Sequence, residues 1–272
     1  MMTLVTLLIA IMISPGLACA QDASSGSDES RAEEVQRPQA RSEQERADFT
    51  SAYATRGAAA MEMAANDFSV HYPESQLRRY LYSAAMVQYQ GENNPEKILA
   101  MGEHVLALDP EDPLALVLTA TVLADGLGDH DRDRERKVSA IKRNATHAIR
   151  VAGTGFITTA GDRSASIYGT TLQAMAYSAL GLMKLKTGDD AGAEKDLKIA
   201  AETATIKPNP YVWYHLALAQ DHRKKYKAAL GSVQQALQLS SSNLELQKLA
   251  EAEHERLSGL TRGLREETGD QP

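Results

Sequence analysis

One cysteine in 272 residues, Cys19, leaves everything after it without a thiol. That excludes a disulfide-stapled scaffold and a cysteine nucleophile downstream, so the core has to hold without covalent help. Aromatic residues make up only 5%, and sustained alternation of β-branched residues is absent. A strand-built core is therefore disfavoured, whereas the abundant alanine suits closely packed helices. Positive charge is also short: 29 Lys and Arg against 36 Asp and Glu give a net charge of −7 and a pI near 5.6. Such a chain lacks the electrostatic footprint of a nucleic-acid binder, and an anionic membrane surface is a poor partner for it. Beyond residue 20 no apolar run is long enough to cross a bilayer.

What is present at the start reads as an export signal, residues 1–20. The run "LVTLLIAIMI" has the length of a signal h-region, and Pro15 and Gly16 break it. Ala18-Cys19-Ala20 fits a small-residue cleavage site before Gln21, although no Lys or Arg stands in the n-region. Cys19 also admits a second reading, a lipid-anchored cysteine preceded by Gly16-Leu17-Ala18. Residues 21–48 carry eight Asp/Glu against four Arg, with Val35 the only large aliphatic, and read as a disordered acidic tether. Residues 259–272 read as a similar tail.

Between them, residues 49–258 show helix-length segments separated by short breaks. These are "YPES", "GENNPE", "DPEDP", "DGLGDHD", "TGDD", "KPNP" and "SSSN". Pro95, Pro113 and Pro210 stand where a first helical turn tolerates a missing N–H. The least regular piece is 152–169, a long loop or a strained helix start.

Residues 175–202 overlay on 211–238 at an offset of 36. Tyr177 falls on Trp213, Leu180 on Leu216, Gly181 on Ala217, Ala193 on Ala229 and Ala200 on Ala236. This aromatic, Leu, small, small, Ala order resembles the tetratricopeptide repeat (TPR) family. Two further stretches fit less closely. In 79–112, Tyr82, Met86, Tyr89, Ile98, Leu106 and Leu108 match, with Met86 in a place usually small. In 113–150, Leu116, Ala120, Leu123, Ala145 and Ala148 match. Residues 50–73 read as half a unit, one helix closed by Phe68, Tyr72 and Pro73. The rival is an irregular helical bundle with coincidental spacing.

The resemblance implies an all-α superhelix, a TPR-like solenoid of about four helix-turn-helix repeats. Its first helices would line a groove for a peptide or partner protein. Carried over position by position, that groove comprises Tyr80, Ser83, Val87, Leu114, Val117, Thr121, Ser178, Leu182, Lys186, Tyr211, Tyr214, Leu218, Asp221 and His222. Tyr80, Tyr211 and Tyr214 are the expected contacts; the alternative is that Tyr80 and Tyr211 pack against neighbouring connectors. Ser83 and Val87 occupy the places of the carboxylate clamp in chaperone-binding members, so that clamp is missing. "DFSVHYPES" is also similar to an F…YP-x-S opening of envelope TPR lipoproteins.

Catalytic and metal motifs are thin. The seven histidines form no H-x-x-x-H, although His215 and His222 can share a helix face. "DHDRDRERKVSA" begins like a calcium loop, but Arg134 and Ala140 stand where Gly and Glu are needed, so a solvated helix start is expected. "GTGF" lacks the frame of a phosphate loop, and Ser164 and Ser166 lack that of a hydrolase elbow. "NAT" at 144–146 falls inside a helix. The expectation is a non-catalytic scaffold, periplasmic or secreted, with no cofactor and no metal. The alternatives are an envelope-assembly lipoprotein anchored at Cys19 and an unrecognised enzyme acting on cell-wall material.

Overall fold

The computed structural model describes residues 39–154, 163–203 and 209–268, among which every regular element is an α-helix. Eleven are described: α1 (Glu43–Tyr53), α2 (Ala58–His71), α3 (Arg78–Gly91), α4 (Pro95–Leu108), α5 (Pro113–Asp125) and α6 (Arg134–Thr154), then α7 (Arg163–Lys186), α8 (Asp190–Thr203), α9 (Pro210–His222), α10 (Tyr226–Leu239) and α11 (Leu244–Thr268). The three prolines stand at the first positions of α4, α5 and α9. There the side chains of Asn94, Asp112 and Asn209 accept backbone N–H bonds and close the helix starts.

Each helix packs on the next along the chain. Second-neighbour contacts are made by odd-numbered helices: α1 with α3, α5 with α7, α7 with α9, and α9 with α11. One layer of the stack is therefore drawn tighter than the other. The core runs continuously from α2 to α7, with two smaller clusters around α8–α9 and α9–α11. Trp213 packs against both smaller clusters and joins them.

The small residues of the overlay do what close helix contact requires. Ala193, Ala200, Ala217, Ala229 and Ala236 are all at most 1% exposed. Gly181 is tighter still: a Cβ there would lie 2.5 Å from Leu197 Cγ and 3.1 Å from its backbone N. The close neighbour of Gly181 is thus Leu197, one turn beyond Ala193. Gly102 on α4 serves a different contact: a Cβ there would lie 2.4 Å from Thr119 Cγ2 of α5, whereas the fully buried Met86 of α3 would be at ordinary contact distance, 3.7 Å from Sδ.

The turns after α3, α7 and α9 share one geometry. Asn93, Gly188 and Lys224 adopt left-handed backbone, with φ of 57°, 83° and 60°. The next residue then donates its N–H back across the turn: Asn94 to Tyr89 O (3.0 Å), Asp189 to Lys184 O (2.9 Å) and Lys225 to Gln220 O (2.9 Å). This is the six-to-one bond of a Schellman C-cap. Polar packing repeats at the offset of 36 as well. Lys184 Nζ donates to Asp196 Oδ2 at 2.7 Å, and Ser232 Oγ donates to Gln220 Oε1 at 2.7 Å.

Several expectations are corrected. The tether does not run to residue 48: α1 begins at Glu43. Ser42 Oγ accepts from Glu45 N, and the buried Glu45 accepts from Arg41 N at 2.5 Å, so "SEQE" works as a capping motif despite its polarity. Residues 50–73 are not one helix, because the chain breaks at Ala54–Gly57 into α1 and α2 and Gly57 has φ 90°. Phe49, Tyr53, Phe68 and Tyr72 hold these two helices together by ring contacts. The expected tail is helical as far as Thr268. Of the irregular piece, 152–154 close α6 and 163–169 open α7, while 155–162 lie outside the described residues. The leader, Cys19 and residues 21–38 lie outside them too.

Candidate functional site

The expected groove positions fall on α3, α5, α7 and α9, and the structure sorts them into three groups. Leu114, Val117 and Leu182 are core residues, with Leu114 8%, Val117 0% and Leu182 6% exposed, and offer no surface. The reason is the crowding of α5, which is covered by α4, α6 and α7 and is apolar almost throughout. Thr121, also on α5, buries its hydroxyl without a hydrogen bond.

A second group is held by neighbours within the chain. Tyr80 lies under the Arg79 guanidinium at 4.7 Å and accepts its Nη2–H at 2.8 Å. Tyr211 accepts from Asn243 Nδ2, in the α10–α11 connector, at 3.2 Å. Asp221 is 2.5 Å from Arg256 Nη2 of α11, and His222 Nδ1 lies 2.9 Å from Asp190 Oδ1. Lys186 is not a groove cation. Its Nζ donates to the carbonyls of Ala124 (3.0 Å) and Asp125 (2.7 Å), closing the C-terminus of α5, where positive charge suits the helix dipole. Arg134 in turn donates to the carbonyls of Lys186 and Gly128, both at 2.6 Å.

The third group remains half-open: Ser83 and Val87 on α3, Ser178 on α7, Tyr214 and Leu218 on α9. Of these, Tyr214 has the largest side chain. Its ring sits beside His215, centroids 6.0 Å apart, and burial raises its hydroxyl pKa.

Titratable groups near this face are perturbed mainly by burial. Burial, with a smaller push from the Lys186 charge, takes His215 down to about 4, so it is neutral near pH 7. Burial pushes the Asp125 carboxyl up to about 6 against the opposing pull of Lys186, and lowers Lys186 itself. The acidic turn before α6 folds on its own cations. Asp131 accepts from Gly128 N (2.9 Å) and Lys137 Nζ (2.8 Å), which hold its carboxyl below the usual range. Asn144 is buried in α6 and donates to Thr119 Oγ1 at 3.1 Å.

Sequence reasoning missed the Lys184–Asp196 pair, although the 36-residue offset pairs its positions with Gln220 and Ser232. It also missed a tie across α2, α3 and α4, where Lys97 Nζ reaches both Glu62 oxygens at 2.8 and 2.9 Å and Tyr89 donates to the same carboxylate. Among the described residues no helix is long and apolar enough to cross a membrane. Comparison with known proteins finds no matching family model and no matching curated protein.

Proposed function

We propose that the chain is a TPR-like scaffold that binds a peptide or partner protein on the face carried by its odd-numbered helices, without catalysing a reaction. The observation that carries this reading is the tight odd-helix layer, with its second-neighbour contacts, presenting Ser178, Tyr214 and Leu218 half-open on adjacent helices. A solenoid whose inner helices touch one another curves towards them and leaves a concave surface. The three matching C-cap turns and the register of buried alanines support the repeat reading over an irregular bundle. A half-open tyrosine contributes contact area at small entropic cost. The setting is the cell envelope or the medium outside it, as the leader implies, with lipid attachment at Cys19 the alternative form.

The test is affinity capture from envelope extracts, comparing the wild-type chain with a Tyr214→Ala/Leu218→Ala variant of matched thermal stability. A partner retained by the wild type and lost by the variant supports the face. A partner held equally by both removes it, and measurable turnover of cell-wall material removes the non-catalytic reading.

A further inference from the structure

We propose that the turn joining α9 to α10, residues 222–227, is a docking site for an acidic segment of the partner polypeptide. The inference rests on the reading of the odd-helix face as a partner surface and adds the chemistry of what binds at its edge. "HRKKYK" sets Arg223, Lys224, Lys225 and Lys227 side by side, all exposed, in a chain whose net charge is −7.

Backbone and capping preferences do not ask for these lysines. At the same two places of the other two matching turns stand Asn93-Asn94 and Gly188-Asp189. In each, a residue tolerant of left-handed backbone precedes one whose side chain closes the next helix start: Asn94 accepts from Lys97 N and Asp189 from Gly192 N. In the third turn both are lysine. Lys224 holds φ 60° without the freedom of glycine, and Lys225 gives α10 no side-chain cap. Cations at a helix start also oppose its dipole. Three local preferences are thus broken at one exposed turn, and each breach adds or retains positive charge.

That charge is only partly neutralised. Glu194 takes both Arg223 and Lys225, and Asp190 takes His222. The side chains of Lys224 and Lys227 make no ion pair or hydrogen bond among the described residues, and they face solvent. The corresponding turns carry the opposite sign, with Glu92 and Glu96 after α3 and Asp189 and Asp190 after α7. The basic patch is therefore local, and it lies just beyond the C-terminal end of α9, the helix that carries Tyr214 and Leu218.

Locality decides the kind of partner. Charges are screened beyond roughly 8–10 Å at physiological salt. A short acidic segment lying along α9 meets the lysines and only those carboxylates already engaged by a cation or His222: Asp190, Glu194 and Asp221. An anionic bilayer is a plane and meets the acidic body as well, which repels it.

The test uses the full chain and fluorescein-labelled octaglutamate, followed by anisotropy at low and physiological NaCl. Saturable binding that weakens with salt is expected. It should fall at least fivefold in Lys224→Gly/Lys227→Ser and stay unchanged in Lys248→Ser, an equally exposed lysine on α11. Lys224→Gly alone should raise Tm by roughly 2–4 °C, because glycine adopts the left-handed turn freely. A lower Tm would show that the lysine serves the fold and would overturn the proposal. So would octaglutamate binding that is absent or indifferent to the double variant, or binding of phosphatidylserine vesicles in its place. An envelope partner lost by the Tyr214→Ala/Leu218→Ala variant but kept by the lysine variant would refute the patch and leave the face standing.

Discussion

Replacing Gly181 by alanine should destabilise the protein, whereas the same replacement at Gly231 should stabilise it. Both glycines lie inside helices, α7 and α10, so each change gains about 0.5–1 kcal/mol from the lower backbone entropy of the unfolded chain. At Gly231 nothing lies within 4 Å of the new methyl group, and the gain is realised in full. At Gly181 the methyl would lie 2.5 Å from Leu197 Cγ, 2.9 Å from Cδ2 and 3.1 Å from the backbone N. Carbon atoms settle at about 3.5–4.0 Å, so α7 and α8 have to separate or Leu197 has to leave its rotamer. Leu197 is 0% exposed and has nowhere to swing. Overpacking of this kind costs about 1–3 kcal/mol, which exceeds the gain. The two variants should therefore differ by roughly 1–3 kcal/mol in opposite directions, or several degrees in Tm. Urea unfolding followed by far-UV circular dichroism and by the fluorescence of Trp213, the sole tryptophan, measures both midpoints. Equal midpoints for the two variants would refute the close α7–α8 contact and the small-residue logic built on it.

Ala229→Leu should cost about 1–3 kcal/mol, because Ala229 is fully buried between α9 and α10; an unchanged melting temperature would argue against the repeat packing. Lys184→Met should cost roughly 2–4 kcal/mol by leaving the buried Asp196 carboxylate alone. Installing the pair found one offset later, as Lys184→Gln/Asp196→Ser, should recover most of that loss in urea titrations. His215 titrates near 4 in the folded chain against an ordinary 6.5, so between these values the unfolded chain binds the extra proton. Stability should fall as pH drops through that window, by up to roughly 3 kcal/mol, and His215→Gln should flatten the fall. Asp125 has the opposite sign: its folded pKa near 6 lies above the ordinary 3.8, so the folded chain holds its proton longer and the ionised group costs stability above pH 6. Asp125→Asn should therefore raise the unfolding free energy at pH 7 by roughly 1–3 kcal/mol, measured by urea titration, and do less at pH 4.

The helical class was legible because two separate signals agree. Pro95, Pro113 and Pro210 mark helix starts, and Ala193, Ala200, Ala217, Ala229 and Ala236 recur in register at places where helices must meet. The ends were harder to read. Residues 43–48 are polar by composition, and a composition rule misses a helix held by one cap and two rings: Ser42 closes the start, while Phe49 and Tyr53 bring the apolar surface. Residues 259–268 are polar by composition in the same way, yet α11 runs through them to Thr268.

The site was less legible, and the reason is geometric. A repeat pattern assigns residues to a face, but whether that face is open depends on how closely its neighbours approach. The pattern treats Leu182 and Leu218 alike, since they stand one offset apart. Yet Leu182 is buried and Leu218 is half-open, because α5 lies against α7 far more extensively than α7 or α11 lies against α9. The same holds for Lys186 and His222, also one offset apart: a carbonyl terminus lies within reach of the first, and Asp190 lies by the second. Surface charge is the hardest case, because no packing constraint selects it, and "HRKKYK" on its own reads as a solvated run. It becomes informative once Asn93-Asn94 and Gly188-Asp189 establish what the backbone prefers at those two places. Lys225 gains the Glu194 carboxylate in exchange for a helix cap, but Lys224 takes left-handed backbone at an exposed turn and its side chain gains no ion pair or hydrogen bond among the described residues, so its explanation lies outside the chain.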